Sequence, residues 1–304
     1  MNKKDVYELT SSQKNIWDTE LFFNHTNMNN VGGYVFVEEK VDLSLLEKAI
    51  QLFVQKNDAL RTKLTLIDGE PFQYVEPYSP FTLKTVHLKN MDEVEDFNYS
   101  ITQKPFTILD SSLFRFVLFD LPNGFGGFNV TLHHFISDAW TMSILVTGII
   151  NFYDSLVHSH IIDDSNFPSY IDYIISQRDY KNSTRFEKDA SFWASLFNEQ
   201  PELSFISPKN KKQEINTLAK RKAFSLDSDL YYKINDFCKA NNCSIYTFFM
   251  AIYSLYLAKI NNVNSSIIGT PVLNRTGYKE KNTAGMFIST IPFKLTIDKD
   301  ISFS

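Results

Sequence analysis

Residues Phe125 to Trp140 limit the fold more than any other stretch: an apolar strand runs into two adjacent histidines, a short turn, an aspartate and a helix. Side chains alternate across a strand, so Phe128, Val130, Leu132 and His134 share one face and Asn129, Thr131 and His133 the other. His134 follows the apolar row and is expected in a partly dry place at the end of the strand. An imidazole there, titrating near neutral pH, is a candidate general base. Asp138 precedes the apolar-periodic run Trp140, Ile144, Leu145, Ile149 and is expected to cap that helix. The plainer readings are a satisfied core histidine and a simple cap. Neighbouring strand residues diverge, so His133 and His134 are poorly placed to share one ion, and with no further His/Cys cluster no metal is expected.

The rest of the chain alternates strand-like and helix-like segments, which points to mixed α and β structure in two lobes. Val31 to Val37 reads as a strand, and Asp42 as the cap of a helix whose Leu46, Ala49, Ile50, Phe53 and Val54 follow a 3.6-residue period. Ala59 to Leu66 reads as a strand closed by the hairpin signal Asp68-Gly69. Further strands are expected over 72–76, 83–88, 113–121 and 125–134, the last two joined by Pro122-Asn123-Gly124. Helices are expected over 92–103, from Phe167 onward, and over 183–197, 227–241 and 244–260, with a short amphipathic helix over Leu9 to Trp17. Arg221 to Leu226 and Ser265 to Val272 read as strands. The polar stretch 198–220, with its Lys209-Asn210-Lys211-Lys212 run, reads as a linker whose basic residues face solvent.

At 304 residues with 43% hydrophobic and 21% charged side chains, the chain has the composition of a soluble globular protein large enough for two lobes. A net charge of −5 without a basic block lacks the footprint of a nucleic-acid binder, so no nucleic-acid partner is expected. Cys238 and Cys243 suggest buried free thiols rather than a disulfide framework. The first residues form no apolar signal core, and no run approaches the ~20 apolar residues of a membrane span. These features lead us to expect a cytoplasmic protein without a membrane partner.

Five stretches, in order, resemble the core motifs of condensation domains from nonribosomal peptide synthetases. His133-His134-Phe135-Ile136-Ser137-Asp138-Ala139 is similar to the HHxxxDG signature, with Ala139 at its final Gly. Ser11, Gln13 and Trp17 match the SxAQxRLW motif, with Asn15 at its Arg, and Lys56 to Thr62 resembles RHExLRTxF, placing Arg61 at that motif's arginine. Tyr170 to Tyr173 resembles YxDYA, and Ala284 to Phe293 resembles IGxFVNTLPL with Ser289 at its Asn.

The resemblance implies two chloramphenicol acetyltransferase-like α/β lobes with the active site between them, over residues 1–180 and 181–304. The family's second lobe continues further, which implies an incomplete second lobe with an open edge and doubtful activity of the chain alone. It implies an acyltransferase that joins two thioester-held groups in an amide bond, with His134 facing the reacting atoms. His133, Asp138, Arg275 and Arg61 are expected in support, Asp138 paired with Arg275; Trp140, Ser289 and Gly285 are candidates to line the substrate channel. No cofactor of its own is implied: substrates arrive on the phosphopantetheine of donor and acceptor peptidyl carrier protein domains, or as acyl-coenzyme A, and an adenylation domain is the expected neighbour. The opening helix and the Ser137-Asp138-Ala139-Trp140 form of the motif resemble starter domains of lipopeptide synthetases, which take a fatty acyl donor. An epimerization domain, a non-catalytic carrier-docking fragment and a free-standing acyltransferase are the rival readings.

Overall fold

The computed structural model describes residues 5–161, 167–199, 206 and 222–297. The chain divides into two compact units, Met1–Glu187 with Leu273–Ser289, and Lys188–Val272 with Thr290–Ser304. A short strand, β1 (Tyr7–Glu8), leads into helix α1 (Ser11–Phe22) through a capping box: Thr10 and Gln13 each accept from the other's backbone N–H. The apolar face expected for this helix is narrow: Ile16 and Trp17 pack, partly buried, against the cluster of Leu9, Leu64, Leu113, Phe135 and Ile136. Its buried residues are Ser12, Gln13 and Glu20, three polar side chains that all form hydrogen bonds.

Strand β2 (Asn30–Val37) is followed by α2 (Leu43–Lys56), which Asp42 caps through the backbone N–H groups of Ser44 and Leu45. The 3.6-residue period buries Leu46, Ala49, Ile50, Phe53 and Val54 as expected. The next expected strand starts late. Residues Asp58–Arg61 form a 3-10 turn, and β3 (Thr62–Ile67) begins only at Thr62. Tertiary bonds hold that turn: the Asp58 carboxylate accepts from the Tyr170 N–H at 2.8 Å and from the Ser169 hydroxyl. Asp68 and Gly69, with φ of 52° and 86°, then turn the chain into β4 (Glu70–Val75).

Strand β5 (Lys84–His87), helix α3 (Met91–Thr102), strand β6 (Phe114–Asp120) and strand β7 (Gly126–His133) follow. Between the last two, Asn123 (φ 70°) and Gly124 (φ 80°) form the turn anticipated from their residue types. Helix α4 (Ala139–Val157) comes next, then α5 (Tyr170–Lys181), capped by Ser169, and α6 (Thr184–Leu196).

Two sheets form in the first unit, with strand orders β1-β4-β3 and β2-β7-β6-β5. β7 lies inside the second sheet with all eight residues buried, antiparallel to both β2 (Asn30 opposite His133) and β6 (Phe114 opposite Leu132). Phe128, Val130 and Leu132 enter a cluster with Leu46, Ile50 and Phe53 of α2 and Leu145, Ile149 and Phe152 of α4. Among the described residues α4 is the one helix that is long and apolar enough by itself to cross a membrane. This departs from the expectation that no run approaches such a span; in the fold, its apolar positions serve the core of the first unit.

In the second unit, residues 222–226 form no strand; all five are exposed, Phe224 and Leu226 among them, and they pair with no strand among the described residues. Arg221, most of the polar stretch 198–220 and the chain end at 301–304 lie outside the described residues. Helices α7 (Ser228–Ala240) and α8 (Ile245–Asn261) are capped by Asp227 and Ser244, and form a bent pair that would reach membrane-spanning length only if taken as one segment. Strand β8 (Ser265–Val272) follows, then a short helix α9 (Tyr278–Asn282) in the first unit, and β9 (Ser289–Thr296), which pairs with β8. Both cysteines are free thiols; Cys238 is buried and Cys243 half-buried.

Candidate active site at the strand-to-helix turn

The turn after β7 is held at nearly every peptide group. The His133 N–H donates to Leu113 O at 2.8 Å, and the His134 N–H to Asn29 O at 2.7 Å. The hydroxyl of Ser137 donates back to His133 O at 3.1 Å. Phe135 and Ile136 are buried with Leu9, Leu64 and Leu113. The Phe135 carbonyl accepts from Gln13 Nε2 at 3.3 Å, and Gln13 is locked in turn by a reciprocal amide pair with Gln73, both bonds 2.7 Å.

His134 is half-buried, and its Nδ1 lies 2.7 Å from Ser137 O. A carbonyl oxygen only accepts, so in the neutral ring Nδ1 carries the proton and Nε2 the lone pair. Among the described residues Nε2 has no hydrogen-bond partner. The bond to Ser137 O therefore fixes the tautomer and leaves the lone pair on the unbonded nitrogen.

His133 is buried in the opposite tautomer. Its Nδ1 accepts the Phe135 N–H at 3.1 Å, which leaves Nε2–H to donate to Glu20 Oε1 at 3.1 Å. The Glu20 carboxylate also accepts from Asn29 Nδ2 at 2.6 Å. Burial pushes the Glu20 acid up, but the bonds from His133 and Asn29 outweigh it and hold the group below its usual value.

Asp138 caps α4 through the Thr141 N–H at 2.8 Å, and its wholly buried carboxylate pairs with Arg275, whose Nη2 lies 3.0 and 3.1 Å from the two oxygens. The Phe287 N–H donates to the same carboxylate at 3.2 Å. Arg275 in turn donates through Nη1 to Glu280 O and Thr283 O, at 2.5 and 2.6 Å, and its guanidinium lies 3.8 Å from the Phe287 ring centroid. Burial lowers the Arg275 pKa while Asp138 raises it. Burial pushes the nearby Tyr173 hydroxyl up to about 12, with Arg275 pulling it down and Asp138 adding to the rise. The Tyr170 hydroxyl, raised well above its ordinary value chiefly by burial, donates to Met286 O at 2.7 Å. The expected Asp138–Arg275 pair is thus present, both partners within the first unit.

The other candidates are more scattered. Arg61 lies beside a cavity of about 460 Å³, but its guanidinium donates to the carbonyls of Val54 and Glu76 at 3.3 and 2.7 Å, which ties it to the backbone. Trp140 donates from Nε1 to Lys281 O at 2.8 Å and lines a cavity of about 450 Å³ along α4 with Ser143, Thr147 and Asn151. Ser289 is half-buried, sharing a 2.8 Å hydrogen bond with Ser12 and accepting from Asn274 Nδ2 at 3.0 Å. Gly285 is buried against the Tyr170 ring instead of facing open space, with φ at 146°. Among the described residues, no three His, Cys, Asp or Glu side chains are gathered as a metal ion requires.

The residues missed by sequence reasoning are Glu20 and Asn29; Ser11 is exposed, and the place of the first motif's serine, three residues before Gln13, is held by the buried cap Thr10. A glutamate in the last turn of a helix reads as solvated, and nothing in its immediate neighbours marks it as buried.

The arrangement of histidine turn, capping aspartate and returning arginine coincides with a match to the family model described as "Condensation domain", which covers residues 3–304. The chain belongs to the condensation-domain family. Among its relatives are surfactin synthase subunit 1 and a plipastatin synthase subunit, both of Bacillus subtilis (strain 168), 36% and 30% identical over 98% of this chain. This condensation domain spans only 8% and 12% of those two relatives. Among solved structures, the first condensation domain of the calcium-dependent antibiotic synthetase superposes with a TM-score of 0.83 at 19% identity, over 99% of this chain and 72% of that one. The starter condensation domain of rhizomide synthetase, as a doubly substituted variant with C8-CoA and Leu-SNAC, gives 0.83 at 17% identity, over 96% of this chain and 66% of that one. The fold is therefore the mixed α/β, chloramphenicol acetyltransferase-like fold of condensation domains.

Proposed function

We propose that this domain joins an acyl donor, held as a thioester, to the amine of an aminoacyl group on a carrier protein. The amine nitrogen attacks the thioester carbon; the C–N bond forms, the C–S bond breaks, and the thiol leaves with the proton that the amine gives up. The observation that carries this reading is the anchored tautomer of His134: Ser137 O holds Nδ1–H, so Nε2 is the nitrogen able to accept that proton or orient the amine. Arg275 acts at a distance from the chemistry by holding Asp138, and with it the end of the turn. His133 and Arg61 support the backbone, and Trp140 and Ser289 are the side chains proposed to meet substrate. Gly285 serves the packing beneath them.

Residues 1–180 and 181–304 are read as the two lobes, and donor and acceptor peptidyl carrier protein domains with an adjacent adenylation domain as the partners. Each substrate then arrives on a phosphopantetheine arm, or the donor arrives as acyl-coenzyme A. A starter role, acylating the first amino acid with a fatty acyl group, is supported by the likeness to the rhizomide starter condensation domain, which is seen with C8-CoA.

The test is a condensation assay read by intact mass, with aminoacyl carrier as acceptor and, in parallel arms, acyl-coenzyme A or acyl carrier as donor. Amide product that is lost in His134→Ala is expected. Product undiminished in that variant refutes the role of His134; no product in either arm from the wild-type chain refutes the condensing activity of this chain. Inversion of the carrier-bound residue without amide formation would replace it with an epimerization reaction.

A further inference from the structure

Glu20 is a buried carboxylate, 6% exposed, in a helix whose inner face is otherwise uncharged. Placing a charge there is unfavourable unless its partners repay the lost hydration. Those partners are the two residues that govern the backbone on either side of His134. One oxygen, Oε1, accepts from both Asn29 Nδ2 and His133 Nε2. The Asn29 carbonyl receives the His134 N–H, and the far nitrogen of the His133 ring receives the Phe135 N–H.

We propose that Glu20 is a positioning residue for His134, acting through Asn29 and His133 together. The proposal rests on the assignment of His134 made above. The logic is one of tautomers. A carboxylate facing Nε2 requires a proton on that nitrogen, which puts the lone pair on Nδ1, where the Phe135 N–H requires an acceptor. The imidazole of His133 is thus a two-ended spacer between α1 and the turn, and Glu20 sets which end carries the proton. Without the carboxylate the ring is free to rotate or exchange tautomers, and the Phe135 N–H loses its acceptor. The Asn29 amide is released as well. The backbone at 134 and 135 then shifts, and the His134 ring shifts with it.

The test combines kinetics with side-chain nitrogen spectra of histidine-labelled protein, using the whole chain. Glu20→Ala removes the acceptor; Glu20→Met removes it while keeping the volume, in case the first variant fails to fold. Both are expected to lower kcat by roughly tenfold to a hundredfold with KM for donor and acceptor little changed, the pattern of a misplaced catalytic group. Glu20→Gln retains an oxygen in place of Oε1 and is expected to recover most of the lost rate. In the spectra, wild-type His133 should show a protonated Nε2 and His134 a protonated Nδ1, and both Ala and Met variants should mix the His133 tautomers and move the His134 signals. These spectra need no substrate, so an inactive wild-type chain would count against the function proposed above while leaving Glu20 to be judged by the spectra. Wild-type His133 and His134 signals in the Met variant, or a Gln variant as slow as the Met variant, would overturn the assignment.

Discussion

Replacing Asp138 by Asn changes one atom in a side chain with no exposure to solvent, and the structure indicates what that atom sustains. Asn is as good a helix N-cap as Asp, so the Thr141 N–H keeps its acceptor and α4 keeps its start. The counter-ion of Arg275 is what disappears. The guanidinium side chain, 1% exposed, would keep its carbonyl partners at Glu280 and Thr283 but hold an uncompensated charge. Breaking such a pair from one side costs about 3–5 kcal/mol. Arg275→Met should cost a similar amount by leaving the carboxylate as the stranded charge. The double variant strands neither, so its cost should fall short of the sum of the singles by about 2–3 kcal/mol. Urea unfolding followed by tryptophan fluorescence suits the measurement, because Trp17 and Trp140 report on the first unit and Trp193 on the second. Single variants within about 1 kcal/mol of wild type, or a double variant equal to the sum, would refute the reasoning.

Two further outcomes follow from the same packing. The Glu20 carboxyl is held below its usual 4.5, so its contribution to stability is complete above that pH and is lost as pH falls through the depressed native value. The difference in unfolding free energy between wild type and Glu20→Gln should therefore be constant near neutrality and shrink as the solution is acidified; a difference that grows toward acid would contradict the sign. Gly285→Ala adds a methyl that overlaps the Tyr170 ring at a backbone angle few residues adopt, and should cost about 2–4 kcal/mol in denaturant melts. Unchanged stability would show that the Tyr170 ring has room to move.

What the sequence made legible was whatever announces itself through periodicity or punctuation. The α2 face was readable because Leu46, Ala49, Ile50, Phe53 and Val54 repeat at helical spacing, and the β6–β7 turn because Asn123 and Gly124 tolerate positive φ. The Asp138 cap was equally plain. The misses share one physical origin: the local residue types were overruled by partners far along the chain. Ala59 to Arg61 have strand-like neighbours, yet Asp58 is pulled into a 3-10 turn by Ser169 and Tyr170. Lys222 to Leu226 look like a strand but pair with no strand among the described residues. α1 turns polar residues inward, which no apolar pattern can reveal, and so Glu20 and Asn29 escaped notice although they contact the most conspicuous motif in the chain. Arg275 was found only because its place in the family's motifs pointed to it.

The separation of Asp138 from Arg275 by 137 residues has a consequence for how the molecule is made. Synthesis runs from the N-terminus at about 5–20 residues per second, so roughly 7 to 27 seconds pass between the appearance of the two side chains. During that interval the histidine turn has its α1 braces but lacks the counter-charge that lets Asp138 leave water. The sheet around β7 can form while the chain is still growing, whereas the turn becomes fully fixed only when the segment around Arg275 and Phe287 arrives. A nascent chain paused before residue 275 would then carry the whole signature motif with its aspartate still hydrated, and the site would be one of the last parts of the first unit to close.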